Sequence, residues 1–330
     1  MYTFQEIWGN PALKAQLQRA ADSGQVSHAY LFLGGAGAGK RLIANTFAKA
    51  LQCESGGNMP CGHCRSCIAF EHGNHPDVLY IRPKAEKKGH LIEDIREQIL
   101  ETVEIKPYQY EKKIYIIEQA DTLNVQSQNA LLKTLEEPPA YAVFLLLAER
   151  GDAFLQTIRS RVVTMELRPL SEELVAAYLQ EKKGCGTEES RILAAYAQGR
   201  IGQAVALQED VGFQQMRQEV LEKLRSLPEL PEGEAYLWAK DLEKYKNDLR
   251  FLDIMEVWYR DLLTARSLRT EEYLIQKDQK DALFRGAKEP PQRLAKKAAA
   301  IREARKRLAM NANFRLTIEV MLMDLKETGE

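Results

Sequence analysis

Residues 34–41 read Gly34-Gly-Ala-Gly-Ala-Gly39-Lys40-Arg41, directly after the apolar run Ala29-Tyr-Leu-Phe-Leu33 and directly before a helical pattern over 40–51. This strand–loop–helix order with G-x-x-x-x-G-K is a phosphate-binding loop, complete except at its last position. In such a loop backbone N–H groups cradle phosphates and the lysine reaches their outer oxygens. Gly34, Gly37, Gly39 and Lys40 are therefore the candidate phosphate contacts. The last position normally carries a Ser or Thr whose hydroxyl holds Mg²⁺. Arg41 has no lone pair to give and carries a fixed positive charge. The loop thus marks an ATPase-like scaffold that lacks part of its chemistry.

Outward from the loop, the first half alternates apolar runs with helical patterns. Strands are expected at 29–33, 77–81, 114–118, 142–147 and 162–166, with helices at 40–51, 91–105 and 125–137. Near-continuous apolar strands separated by helices predict a parallel sheet covered on both faces. Pro138-Pro139 ends one helix. Beyond Leu167 the strand signal stops. Ser171, followed by Glu172 and Glu173, has the form of a helix N-cap. Helical patterns then run to about Ala206 with a break at 199–202, and from about Gly212 to the end with breaks at 226–233 and at Pro290-Pro291. The fold class expected is α/β followed by all-α, divided as 1–167, 168–208 and 209–330.

A chain of 330 residues with 45% hydrophobic residues can build more than one core, and its net charge of −1 excludes a protein that is basic overall. Nucleic-acid contact would have to be local. The one dense basic run, 285–307, suits either phosphate contact or, with somewhat more weight, a solvated helix face. No signal peptide and no apolar run of membrane-spanning length is read in the sequence, so a cytoplasmic location with no membrane partner is expected.

Four of the five cysteines, Cys53, Cys61, Cys64 and Cys67, crowd into fifteen residues. That crowding fits a reducing compartment and a metal better than a disulfide framework. Four thiolates suit tetrahedral Zn²⁺ with no open position for water, a structural site. An iron–sulfur cluster fits less well, because the ferredoxin-type run needs another cysteine followed by Pro. His63 lies inside a C-x-x-C turn whose cysteines already serve. Ile114-Tyr-Ile-Ile-Glu118-Gln119-Ala-Asp121 has the form of a strand delivering acids at its carboxyl end. Glu118 stands where a metal-holding acid would be. Gln119 stands where a general base would be, and glutamine cannot take that role.

Several motifs together resemble the bacterial clamp-loader family of AAA+ proteins. They are Ser27-His-Ala-Tyr-Leu-Phe32, the four-cysteine insertion, Asn129-Ala-Leu-Leu-Lys-Thr-Leu-Glu-Glu-Pro-Pro139, and Leu155-Gln-Thr-Ile-Arg-Ser160-Arg161-Val162, which is similar to that family's Ser-Arg-Cys motif with Val162 for the cysteine. Trp258–Leu262 and Asn311–Arg315 are similar to its collar helices. The resemblance implies an AAA+ sheet domain with a zinc insertion, a small helical lid and a helical collar. It also implies a pentameric ring with gamma/tau and delta subunits, weak or indirect contact with a sliding clamp, and primed DNA within the complex.

Four departures mark this chain as similar to the non-hydrolysing, stator-like member. They are Arg41, Gln119, Ala148 at the first sensor position and Gly202 at the second, with Arg200 nearby but out of register. Arg161 is retained, and in this family that arginine reaches a neighbour's ATP as an arginine finger. The alternatives are an active gamma/tau-type ATPase and a zinc-stabilised module that binds nucleotide without turnover. Lys40 and the loop's N–H groups favour some nucleotide affinity. Arg41 either crowds the site or stands in for the metal's charge.

Overall fold

The computed structural model describes residues 2–57, 59–83, 90 and 92–326, leaving the side chains at 232 and 235 aside. These residues form two compact units, Met1–Tyr178 with Gly199–Gln203, and Leu179–Gln198 with Ala204–Glu330.

The first unit is built on five parallel strands: β1 Ala29–Leu33, β2 Val78–Ile81, β3 Lys113–Ile117, β4 Ala142–Ala148 and β5 Val163–Glu166. Their order is β2-β3-β4-β1-β5. Alternate side chains point to opposite faces, so each apolar strand feeds two cores. One face gathers Tyr30, Phe32, Ile116 and Leu145 against Ile43 and Phe47 of the Lys40–Leu51 helix. The other gathers Leu31, Tyr115, Ile117, Phe144 and Leu146 against Leu131 and Leu135 of the Val125–Glu136 helix. On that second face Tyr115 stacks on Phe144 at 5.2 Å between ring centroids.

The expected strands are all present, with ends displaced by at most one residue. The helix expected over 91–105 is different. Leu91 lies outside the described residues, and the rest divides into an α turn Ile92–Ile95, a π turn Arg96–Leu100 and a last turn Glu101–Val103. The Thr102 hydroxyl donates to the carbonyl of Gln98 at 2.8 Å and lies 3.2 Å from that of Ile99. A hydroxyl bonded back onto the helix in this way disturbs the regular ladder.

The second unit is helical. Its long Arg250–Leu268 helix buries Phe251, Ile254, Met255, Trp258 and Leu262, and packs against the Val211–Ser226 and Pro291–Ala309 helices. The buried Asp261 carboxylate accepts from the N–H groups of Ile275 and Gln276, the latter at 2.7 Å, and so pins a chain crossing. Pro290 and Pro291 start a helix rather than merely interrupting one, as suits a residue that lacks an N–H at a helix's first turn. In the basic run, Lys297 pairs with Glu289 at 2.8 Å, Arg305 with Asp253 at 2.7 Å and Arg307 with Glu303 at 2.9 Å. Much of that charge is therefore balanced within the unit.

Candidate functional site

Parallel strands deliver their carboxyl ends to one edge of the sheet, the edge where α/β proteins place ligands. Here that edge brings together the loop after β1, Glu118 and Gln119 after β3, and Ala148 and Glu149 at the end of β4. With Asp121 and Gly202 they line a cavity of about 560 Å³, within the usual range for a small-molecule site.

The loop keeps the backbone form of a phosphate cradle. Gly37 and Gly39 have φ of 77° and 94°, which side-chain-bearing residues rarely adopt. The loop is anchored by the Gly34 N–H donating to the Ala148 carbonyl at 3.2 Å. Lys40 donates to the carbonyls of Gly34 and Gly35, the second at 3.0 Å. Burial lowers its pKa. The charges of Glu149 and Asp121 oppose that shift, and that of Arg200 adds to it.

Gly202, at the expected second-sensor position, donates its N–H to the Gly37 carbonyl at 2.8 Å. A Cβ on Gly202 would lie 2.9 Å from that carbonyl oxygen, and one on Gly37 would lie 2.4 Å from the Gln203 nitrogen. In this arrangement position 202 has no room for a side chain without a shift of the Gly37 backbone. Arg200, out of register in the sequence, nevertheless reaches the loop. Its Cδ and Nη1 sit 3.3 and 3.4 Å from where a Cβ on Gly35 would be.

The metal position shows the largest departure. Arg41 Nε lies 3.3 Å and Arg82 Nε 3.2 Å from the same oxygen, Oε1 of Glu118. Both guanidiniums lie over the Tyr80 ring, at 5.9 and 5.3 Å from its centroid. Tyr80 in turn donates its hydroxyl to Asn45 at 3.1 Å. Burial pushes the Tyr80 phenol up to about 12, so it stays neutral. The sequence reading missed Arg82. The signal was available in the register: β2 and β3 pair with Ile81 beside Ile117, so the residues that follow them, Arg82 and Glu118, emerge side by side. The residues here do not suit a Mg²⁺ ion, because the hydroxyl ligand is absent and the acid already faces two cations. Gln119 lines the cavity in a left-handed conformation, φ 51°.

Arg161 follows the short Gln156–Arg159 helix and precedes β5. Its guanidinium donates to the Thr157 carbonyl at 2.9 Å and pairs with Glu136 at 2.7 Å. Glu136 belongs to the Leu-Glu-Glu-Pro-Pro stretch, and the sequence reading gave it no role.

The sulfurs of Cys53, Cys61, Cys64 and Cys67 all lie within 4.8 Å of one another. Four thiolates on one tetrahedral metal would be about 3.8 Å apart, given a metal–sulfur bond of about 2.3 Å, so the cluster suits an ion. Backbone N–H groups already turn toward the sulfurs: Cys61 N–H donates to Cys53 Sγ at 3.3 Å and Cys64 N–H to Cys61 Sγ at 3.3 Å. Hydrogen bonds, first from the Ser55 hydroxyl and then from the His63 N–H, bring the Cys61 thiol down to about 5, whereas burial pushes Cys67 up. The His63 ring is engaged with the Cys61 carbonyl at 3.0 Å. Cys185 is buried and is not one of the four clustered cysteines.

Residues 9–171 match the family model described as DNA polymerase III, delta subunit, and residues 212–327 match DNA polymerase III, delta subunit, C terminal. The chain is similar to the DNA polymerase III subunit delta' of Bacillus subtilis (strain 168), with 31% identity over 325 residues and 96% of both chains covered. It is also similar to the subunit tau of Escherichia coli (strain K12), with 34% identity over 211 residues, 62% of this chain and 32% of that one. The match therefore spans about a third of the tau relative's length. Among solved structures, a gamma subunit-related protein from Thermotoga maritima aligns over 96% of this chain and 98% of its own, with 18% identity and a TM-score of 0.44.

Proposed function

The chain belongs to the DNA polymerase III delta' family of clamp-loader subunits, and from that premise we propose that it is a non-hydrolysing, stator-like subunit that completes a neighbour's ATP site with Arg161. The observation that carries the first half is the double ion pair on Glu118. An acid facing both Arg41 and Arg82 is a poor metal ligand, and Gln119 cannot act as a general base. Position 202 has no room for the second sensor arginine, and Ala148 offers no polar first sensor.

Arg161 supports the second half. It is only part-buried, its ion pair with Glu136 is half-exposed, and it needs no large rearrangement to reach outward. An arginine finger is worth about 10³–10⁵ in rate. The parts implied by the family are proposed with it. Residues 1–167 form the AAA+ domain, 168–208 a lid and 209–330 a collar that joins a pentameric ring with gamma/tau and delta subunits. Leu316, Val320 and Met323 are exposed at helical spacing on the Phe314–Lys326 helix, an apolar stripe suited to such packing. The ring would load a sliding clamp at primed DNA in the cytoplasm. Contact of this subunit with the clamp would be weak or indirect.

Zn²⁺ is the ion we assign to the four cysteines, in a structural role, since no ligand position stays open. It would tie the 53–67 insertion to the Arg65–Glu71 helix.

The test is ATP turnover by the purified chain in Mg²⁺, beside its assembly with gamma/tau and delta subunits. The expected result is no turnover and a stable complex. Turnover that Lys40→Ala abolishes would instead make the chain an active gamma/tau-type ATPase. Nucleotide binding without turnover and without assembly would favour the zinc-stabilised binding module, a reading the 560 Å³ cavity also accommodates.

A further inference from the structure

The sheet ends on one side at β5, which pairs with β1 and has no further strand beyond it among the described residues. Successive residues of a strand turn their N–H and C=O groups to opposite sides. Just past β5, the Leu167 N–H donates to the Leu33 carbonyl of β1 at 2.8 Å. Arg168 faces the other way, and there it meets the Asn10 side chain. The Arg168 N–H donates to Asn10 Oδ1 at 3.0 Å, and Asn10 Nδ2 donates to the Arg168 carbonyl at 3.4 Å. A side-chain amide thus stands in for the backbone of another strand at this one position. Thr164 and Glu166 share the parity of Arg168, so their N–H and C=O groups open outward, and both residues are exposed. Two cavities adjoin this edge beside the Pro11–Ser23 helix, and Gln16 lines both. One, of about 580 Å³, contains Val163, Arg19, Asp22, Ser23 and Gln25. The other, of about 670 Å³, contains Met165, Leu13, Leu170, Glu166 and Arg168. Val163 and Met165 are one same-face repeat apart, about 6.6 Å, the spacing of side chains i and i+2 on any added strand. Each cavity holds one cation and one acid, so the charge of neither calls for a charged ligand.

We infer that the open edge of β5 receives an uncharged peptide in extended conformation, added antiparallel as a further strand. A bulky apolar side chain of that peptide enters the cavity at Met165, and a side-chain amide enters the more polar cavity at Val163. The antiparallel direction is chosen because such pairs are slightly more stable per residue, and because residues opposite Thr164 and Glu166 then exchange both of their hydrogen bonds. In strand addition the main-chain bonds give affinity and the pockets for alternate side chains give selectivity. The surface shares no lining residue with the cavity of the glycine-rich loop, so it stands or falls apart from any nucleotide chemistry.

The experiment titrates the full-length chain into a dye-labelled, terminally blocked peptide, Thr-Leu-Thr-Gln-Thr, and reads fluorescence anisotropy. In the antiparallel register its leucine lies opposite Met165, its central threonine opposite Thr164 and its glutamine opposite Val163. Saturable binding below about 1 mM is expected. N-methylation of the central threonine, whose N–H points at the Thr164 carbonyl, should weaken binding at least about tenfold. N-methylation of the leucine, whose N–H points away from the edge, should change it by less than about twofold. Thr164→Pro removes an outward N–H, a change that an edge strand tolerates, and should weaken binding at least about tenfold at an unchanged unfolding midpoint. If that midpoint falls, the two N-methylated peptides on the wild-type chain decide alone. No saturable binding, equal losses from the two N-methylations, or tighter binding of the reversed order Thr-Gln-Thr-Leu-Thr overturns the inference. A dimer of the chain alone, seen by sedimentation and dissociated by Thr164→Pro, also overturns it and assigns the edge to a second copy.

Discussion

Replacing Arg161 with alanine tests the trans-acting role most directly, and Glu136→Gln sets its scale. The Arg161–Glu136 pair is short, 2.7 Å, but its side chains are 34% and 48% exposed. Pairs this exposed contribute about 1 kcal/mol or less. Freeing Arg161 from Glu136 therefore changes the population of any outward-reaching state by at most about fivefold. Losing a finger costs far more, about 10³–10⁵ in rate. In a loader reconstituted with gamma/tau and delta, steady-state ATPase with clamp and primed DNA should fall sharply in Arg161→Ala. One site among several is affected, so the residual rate reports the other sites, and single-turnover kinetics resolve the lost phase. Glu136→Gln should stay within about fivefold of wild type in either direction. Arg161→Lys should behave like the alanine variant, because a lysine cannot reproduce the forked guanidinium. The reasoning fails if Arg161→Ala keeps every kinetic phase. It also fails if Glu136→Gln is as damaging as Arg161→Ala, since the pair would then be structural.

Three further outcomes follow from other parts of the molecule. The purified chain should carry one equivalent of zinc by elemental analysis, and Cys64→Ser should release it and lower the unfolding midpoint markedly, structural zinc being worth of order 10 kcal/mol of folding energy; a metal-free chain of unchanged stability would refute the site. Gly37→Ala meets both a left-handed backbone and a 2.4 Å contact with the Gln203 nitrogen, so urea unfolding should show a loss of about 2–4 kcal/mol, whereas Gly24→Ala, left-handed but with open space around it, should lose only about 1–2 kcal/mol. In the helical unit Arg250 pairs with Asp210 at 2.7 Å and with Asp248 at 2.6 Å, holding both carboxyls below the usual range; groups lowered on folding stabilise the chain fully above the unfolded value of about 3.9 and lose that effect as pH falls through their folded values, so the stability gap between wild type and Arg250→Gln should be constant from pH 6 to 8 and close in strong acid, and a gap independent of pH would exclude these ion pairs as its cause.

The sheet was legible because burial on both faces writes its inner strands as near-continuous apolar runs; Ala142–Ala148 is buried throughout, whereas the edge strand Val163–Glu166 exposes Thr164 and Glu166. The cysteine cluster was legible because metal ligands must fall close together in the chain when a short insertion holds them. What was hidden depends on neighbours supplied by tertiary register. Arg82 is an unremarkable arginine until β2 and β3 align and set it beside Glu118. Glu136 sat inside a motif, yet its partner lies on the far side of β4 in sequence. The π turn at Arg96–Leu100 was invisible because Ile95, Ile99 and Val103 keep ordinary helical spacing; the slip shows only in the backbone, where the Glu101 N–H donates to the Arg96 carbonyl five residues back. Gly202 was read as the position of a lost arginine, and its close approach to the Gly37 backbone, which a sequence does not display, adds that position 202 has little room for a side chain.

The position of β1 has a consequence for how the chain is made. β1 lies between β4 and β5, the last two strands to be synthesised. The segment Ala-Tyr-Leu-Phe-Leu therefore leaves the ribosome roughly 110 residues ahead of its first hydrogen-bonding partner, about 5–20 s at usual translation rates. During that interval a strongly apolar strand has both edges unpaired, the condition that invites pairing with other nascent chains. Slower translation lengthens this window and faster translation shortens it. The yield of soluble protein should accordingly depend on codon choice between β1 and β4 more than on codon choice in the helical half.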